Sequence, residues 1–319
     1  MDAINRCKVD EWKTDIEQSV DFYNSWFLSF APSTFRNARK SACHKVDEVF
    51  ELTDNGSNLT KALLAMAPQM LPVLRQMTCP PIARDRLAGL SKLPASTVKS
   101  FEDTERKPYR SSCRMLSAAE KIVPVLLNLL DVDLLPWLAK GHKSSPTREQ
   151  RARAALVIAD RLCGAYSDPI IRNAQESRQL DAISKFLLAK GYVKAHPMSF
   201  AELNPGEFAF HLNINVVNGD GDSRVNIPVD VAIQPKDAKK GRLPIMIEAK
   251  SAGDFANVNK RRKEEAQKIT QLRRTYGNRV SFVLFLCGYF DTGYLGYEAA
   301  EGIDWVWEHR ISDMRKLGL

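Results

Sequence analysis

Two runs with a strand's two-residue repeat constrain this chain more than any other feature: "RVNIPVDVAIQPK" at 224–236 and "LPIMIEAK" at 243–250. Side chains on a β-strand point to opposite faces with period 2. In the first run Val225, Ile227, Val229, Val231 and Ile233 are expected on one face, with Asn226, Pro228, Asp230 and Ala232 on the other. In the second, Ile245, Ile247 and Ala249 share a face, and Met246, Glu248 and Lys250 share its opposite. Between them lies "QPKDAKKGR", a polar loop with Pro and Gly that suits a hairpin connection. A chain with this pattern builds a sheet, and the sheet carries charge at one strand end.

If the two strands pair, Asp230, Glu248 and Lys250 converge on one patch. Two close carboxylates repel unless a cation lies between them. Hard ions such as Mg²⁺ take oxygen ligands from one or two carboxylates plus a substrate phosphate, and a lysine offers positive charge where a phosphoryl transition state develops negative charge. The plainer alternative is an ordinary ion pair at a strand end. A third acid is offered by "DPIIRNAQESRQLDAISKFLLAKG". Asp168 reads there as an N-cap, Pro169 as the first helical residue and Gly191 as the C-terminal stop. Glu176, Leu180, Ile183 and Leu187 step by helical intervals, so Glu176 lines up with an apolar stripe; it either joins the acidic patch or pairs with Arg172 four residues earlier.

Charge narrows the choice of partner. The net charge is +8, and residues 236–279 hold 13 Lys and Arg against 5 Asp and Glu, a local excess equal to that of the whole chain. The segment surrounds Glu248 and Lys250 and includes "NKRRKEEAQKITQLRRTYG", in which Ala266, Ile269, Leu272 and Tyr276 form a helical stripe. Basic residues beside an acidic patch recruit phosphates. Asn257, Asn259, Lys260, Arg261, Arg262 and Lys263, close to a helix start whose N–H groups also favour anions, are the candidate contacts to a phosphate-bearing partner such as a nucleic acid. A merely solvated charged helix is the alternative.

Other function classes lose support. Cys7, Cys43, Cys79, Cys113, Cys163 and Cys287 show no C-x-x-C spacing, which argues against a zinc site or a disulfide framework and for reduced, mostly buried thiols. No phosphate-cradling G-x-x-x-x-G-K-[ST] is present, so no NTP partner is expected, and no G-x-S-x-G is present either. "NGDGDSR" at 218–224 lacks the distal glutamate of a calcium loop and reads as a turn. The longest apolar run, "VSFVLFLCGYF", is too short to span a bilayer, so no membrane partner is expected. "MDAINRCKVDEW" lacks the features of a secretion signal, which makes a cytoplasmic location the expectation.

Residues 1–145 read as a mainly helical domain, a candidate for DNA recognition or dimerisation, with basic stretches at 35–40, 84–92 and 99–110. Residues 146–319 read as helix 146–166, helix 169–190, strands 208–217, 224–233 and 243–250, helix 259–276, strand 279–287, a short helix near 293–301 and strand 303–308. This is an α+β fold, an α/β core behind a helical domain.

A helix with Glu176, strands bearing "PVD" and then, after 17 intervening residues, "EAK", a basic helix and a further strand resemble the PD-(D/E)XK nuclease superfamily over roughly residues 168–308. The proline that normally directly precedes the aspartate stands one place earlier, at Pro228. "IEAKSAGDFANVNKRRKEEAQK" together with "PPIARDRLAGLS" resembles type II restriction endonucleases of the XamI family. The resemblance implies a mixed central sheet flanked by helices and a Mg²⁺-dependent endonuclease cutting double-stranded DNA at a short site. It implies Asp230 and Glu248 as metal ligands, Lys250 orienting or activating the attacking water, Glu176 as an auxiliary acid and Gln267 as a supporting polar residue. Palindromic cutting would imply a homodimer. A structure-selective repair or recombination nuclease of the same fold, and a DNA-binding protein without catalysis, are the alternatives.

Overall fold

The computed structural model describes residues 3–103, 112–139, 145–218, 223–255 and 258–319. Its helices are α1 (Trp12–Leu52), α2 (Lys61–Met66), α3 (Leu71–Gln76), α4 (Arg84–Leu90), α5 (Ala95–Glu102), α6 (Ser112–Asn128), α7 (Arg148–Ala189), α8 (Val258–Tyr276) and α9 (Thr292–Ala300). Its strands are β1 (Val193–Lys194), β2 (Glu207–Val217), β3 (Arg224–Ile233), β4 (Ile245–Ala252), β5 (Phe282–Gly288) and β6 (Asp304–Trp307). Among the described residues the strands form one mixed sheet in the order β1-β2-β3-β4-β5-β6. β2, β3 and β4 are antiparallel neighbours, whereas β4, β5 and β6 run parallel, with α8 and α9 as the crossovers. The α+β expectation and the hairpin between β3 and β4 are thereby met.

Chain contacts divide the molecule into two compact units, Met1–Phe30 with Arg172–Leu319, and Ala31–Ile171. A single cut after residue 145 does not describe this division. Residues 1–30 belong with the sheet because specific groups hold them there. Asp304 accepts the backbone N–H groups of Ile4, Asn5 and Arg6. Trp12 packs edge-on to Trp305 at 5.5 Å, and a buried Trp is worth roughly 1.5–3 kcal/mol or more by area. Asp15, only 2% exposed, takes two hydrogen bonds from Arg310.

The unit Ala31–Ile171 has its own core, built on Val46, Phe50, Leu64, Leu71, Leu126, Ile158 and Leu162 among others. The sheet has a core on each face. Met246, Leu284, Leu286, Trp305 and Trp307 pack with Ile269 and Leu272 of α8 and with Leu295 of α9. Val231, Ile233, Ile245, Ile247, Val283 and Phe285 pack with Leu180, Ile183 and Leu187 of α7.

Local expectations fail in three instructive places. Asp168 and Pro169 do not start a helix; both lie inside the continuous α7. A proline removes one N–H donor and so weakens an interior turn, but the rest of a 42-residue helix carries that loss. The five apolar residues of β3 do not share one environment: Ile227 and Val229 join the core beneath α8, while Val231 and Ile233 join the core beneath α7. The change falls at Asp230, opposite His211 of β2, which has a left-handed φ of +51°. Finally, all six cysteines are free as expected, but only Cys163 and Cys287 are buried. Residues 219–222 of the "NGDGDSR" turn lie outside the described residues.

Candidate active site

The site forms where β3 and β4 stop sharing a backbone ladder. Their paired residues end at Val231↔Ile247. One step further the Asp230 carboxylate replaces a backbone acceptor: its Oδ2 takes the Ala249 N–H at 2.8 Å. Asp230 is thereby tied to the peptide between Glu248 and Lys250.

On β4, Glu248 is 4% exposed. Its Oε1 receives Lys250 Nζ at 3.0 Å and Lys268 Nζ, from α8, at 2.6 Å. Lys250 Nζ also lies 3.3 Å from Glu265 Oε1, and Lys268 Nζ reaches the Pro228 carbonyl at 3.1 Å. Two ammoniums thus interleave with two carboxylates. Burial alone would push the Lys250 ammonium down, but the charges of Glu248 and Glu265 outweigh it and hold its pKa above the usual lysine value. Glu265 is raised by burial, which the Lys250 charge only partly offsets. From behind, buried Gln179 of α7 donates to the carbonyls of Lys250 at 3.3 Å and Phe285 at 3.2 Å, fixing the end of β4 against β5.

Asp230 is raised by burial and then by the charge of Glu248. Its other neighbours come from α7 and β2: ligand atoms of Glu176, His211 and Asp230 all lie within 4.8 Å of one another. Glu176 is exposed, not buried against its helical stripe, which begins at Leu180. Among the described residues no ion pair joins it to Arg172. The residues present fit a hard divalent cation, since they combine converging oxygen donors with Glu248 Oε2, a buried carboxylate oxygen without a hydrogen-bond partner among the described residues.

Of the sequence candidates, Glu248 and Lys250 pair at the end of β4, Asp230 accepts from the Ala249 N–H that lies between them, and Glu176 lies near Asp230. Gln267 does not join them. It is exposed, and its neighbours on α8, Glu265 and Lys268, are the residues that reach β4. Glu265 continues the stripe of Ile269 and Leu272 by one helical step, a signal the sequence carried within a run of charges. His211 carries no signal of its own within "FAFHLNINVV"; only the register, with Phe210↔Val231 and Leu212↔Val229 as pairs, sets it opposite Asp230. Asn257 and the side chains of Asn259, Lys260, Arg261 and Arg262 lie outside the described residues, and Lys263 is exposed on α8.

A mixed sheet with an Asp and a Glu-x-Lys at adjacent strand ends, backed by an acid-bearing helix, is the architecture expected of a nuclease core. The sequence profile of the XamI restriction endonuclease family matches residues 54–307, and the chain belongs to that family. It is also similar to the type II restriction enzyme SalI of Streptomyces albus G, with 49% identity over 318 residues and 99% of each chain covered. No solved structure matches it.

Proposed function

We propose that this chain is a type II restriction endonuclease that hydrolyses phosphodiester bonds of double-stranded DNA at a short specific site, with Mg²⁺ held by Asp230 and Glu248. The observation that carries the reading is the Asp230 to Ala249 hydrogen bond, which sets one acid beside the Glu248-Ala249-Lys250 strand end. When bound, Mg²⁺ supplies Lewis-acid stabilisation of the phosphoryl oxygens and favours ionisation of water. The chain's own groups do the rest. Lys250, with its raised pKa, stays an ammonium at neutral pH. Its role is to orient or activate the attacking water and to meet developing negative charge. Glu248 holds Lys250 and Lys268 in place through Oε1 while Oε2 remains free for a ligand. Glu176 is the auxiliary acid at Asp230's other side.

The run from Asn257 to Lys263 is proposed to contact DNA beside the scissile phosphate, and a homodimer to present one site to each strand of a palindrome. The helical part of the chain before the nuclease core is the proposed carrier of DNA recognition or of the dimer contact. The test is incubation of plasmid and phage DNA with the protein in Mg²⁺ and in EDTA. Discrete fragments in Mg²⁺ alone are expected; intact DNA in both would refute the reading, and a smear would indicate a nuclease without site preference.

A further inference from the structure

We propose that His211 is a nitrogen ligand to a divalent cation that it shares with Asp230 and Glu176, so that the site accepts borderline metals such as Zn²⁺ or Ni²⁺ beside hard ones, through a mixed oxygen and imidazole donor set. This rests on reading Asp230 as a metal ligand. The three residues come from β2, β3 and α7, far apart in the chain, yet their ligand atoms fall within 4.8 Å of one another. With metal–ligand distances near 2.1 Å, donors on one octahedral ion lie about 3 Å apart when adjacent and about 4.2 Å when opposite. The observed span closes onto a single cation with side-chain adjustments of less than about 1 Å.

The backbone is arranged for this contact. The register on either side sets His211 opposite Asp230. Facing residues of antiparallel strands have their side chains on one side of the sheet, within reach of each other. A φ of +51° is uncommon for a non-glycine residue, and here it falls on the imidazole that faces the acid. Buried Glu248 keeps Oε2 without a partner among the described residues, and it is close enough for its charge to act on Asp230. Imidazole suits Zn²⁺, Fe²⁺ and Ni²⁺; Mg²⁺ and Mn²⁺ favour oxygen, but Mn²⁺ admits a nitrogen donor more readily than Mg²⁺. His211 would accordingly set which metals bind, while Asp230 serves all of them.

The experiment titrates the full-length protein with Mn²⁺, with and without a nonspecific duplex, and records both affinity and the electron spin echo of the bound ion. Wild type should show modulation from a directly bound nitrogen. His211→Asn is the informative variant, because asparagine tolerates a left-handed φ but carries no ring nitrogen. It should lose the nitrogen modulation and bind Mn²⁺ at least about tenfold more weakly, with Mg²⁺ affinity changed less. Circular dichroism establishes that the variant is folded. Mn²⁺ bound to wild type without nitrogen coupling, unchanged Mn²⁺ affinity in His211→Asn, or no Mn²⁺ binding in either condition would each overturn the proposal. Asp230→Asn separates the two levels of inference. If it abolishes Mn²⁺ binding while wild type shows no nitrogen coupling, the nuclease reading stands and the role of His211 falls; if it binds Mn²⁺ as wild type does, both fall.

Discussion

Asp230 Oδ2 accepts the Ala249 N–H at 2.8 Å at the point where the β3·β4 ladder ends with Val231↔Ile247. The same side chain therefore closes the strand pair and presents its other oxygen to the site. Asp230→Asn keeps an oxygen that can accept from Ala249, so its melting temperature should stay close to wild type. Cleavage should fall by roughly a hundredfold or more, since loss of a direct ligand should exceed the 10–100-fold typical of groups that merely support one. Duplex binding should persist in a gel-shift assay. Cleavage near the wild-type rate would remove Asp230 from the metal site.

Lys268 and Gln267 are neighbours on α8 with opposite expected behaviour. Lys268→Met takes one of two ammoniums from buried Glu248, a charge-assisted hydrogen bond of 2.6 Å. It should cost about 1–3 kcal/mol of stability and reduce cleavage as well. Gln267→Ala, at an exposed position, should change stability by no more than about 0.5 kcal/mol and leave cleavage intact. Urea melts and initial cleavage rates on the two variants decide the matter.

Glu265 gives the protein a pH signature. Burial raises its pKa, so the folded chain holds that proton more tightly than the unfolded chain. The associated stability is complete below the unfolded value of about 4.3 and is lost as pH rises through the higher folded value. Gln at this position does not titrate. The melting temperature of Glu265→Gln relative to wild type should therefore rise as pH is raised from about 4 toward neutrality; parallel curves would show that Glu265 ionises at its ordinary pKa.

A fragment of residues 146–319 should not fold alone. It lacks Ile4 and Trp12 from the sheet cores, and it leaves Arg310 without Asp15. Breaking such a buried pair costs about 3 kcal/mol or more, against a total stability of only about 5–15 kcal/mol for a domain. Circular dichroism and amide dispersion of the fragment should show an unfolded or aggregated chain, and a cooperative melt like that of the full protein would contradict the division seen here.

Arg261→Ala with Arg262→Ala should weaken binding to specific and nonspecific duplexes alike and flatten the salt dependence by up to about two phosphate contacts' worth of slope. Affinity measured across a salt titration gives the answer, and an unchanged slope would assign these residues to a solvated helix face.

The order of elements and the strand positions of Asp230, Glu248 and Lys250 were legible in the sequence because period 2, period 3.6 and loop composition are local properties of the chain. Asp230, Glu248 and Lys250 stand at strand positions that bring them together once the two strands pair through the polar loop between them. What a residue meets from a distant segment is different, because strand register and helix placement depend on how the cores close. Only the tertiary structure set His211 opposite Asp230, brought Lys268 rather than Gln267 to Glu248, and left Glu176 exposed beside Asp230. It alone joined residues 1–30 to the sheet, where Asp304, Trp305 and Arg310 wait some 300 positions down the chain for Ile4, Trp12 and Asp15. No periodicity records such a contact, since its free energy comes from burial and pairing that exist only once both segments are in place.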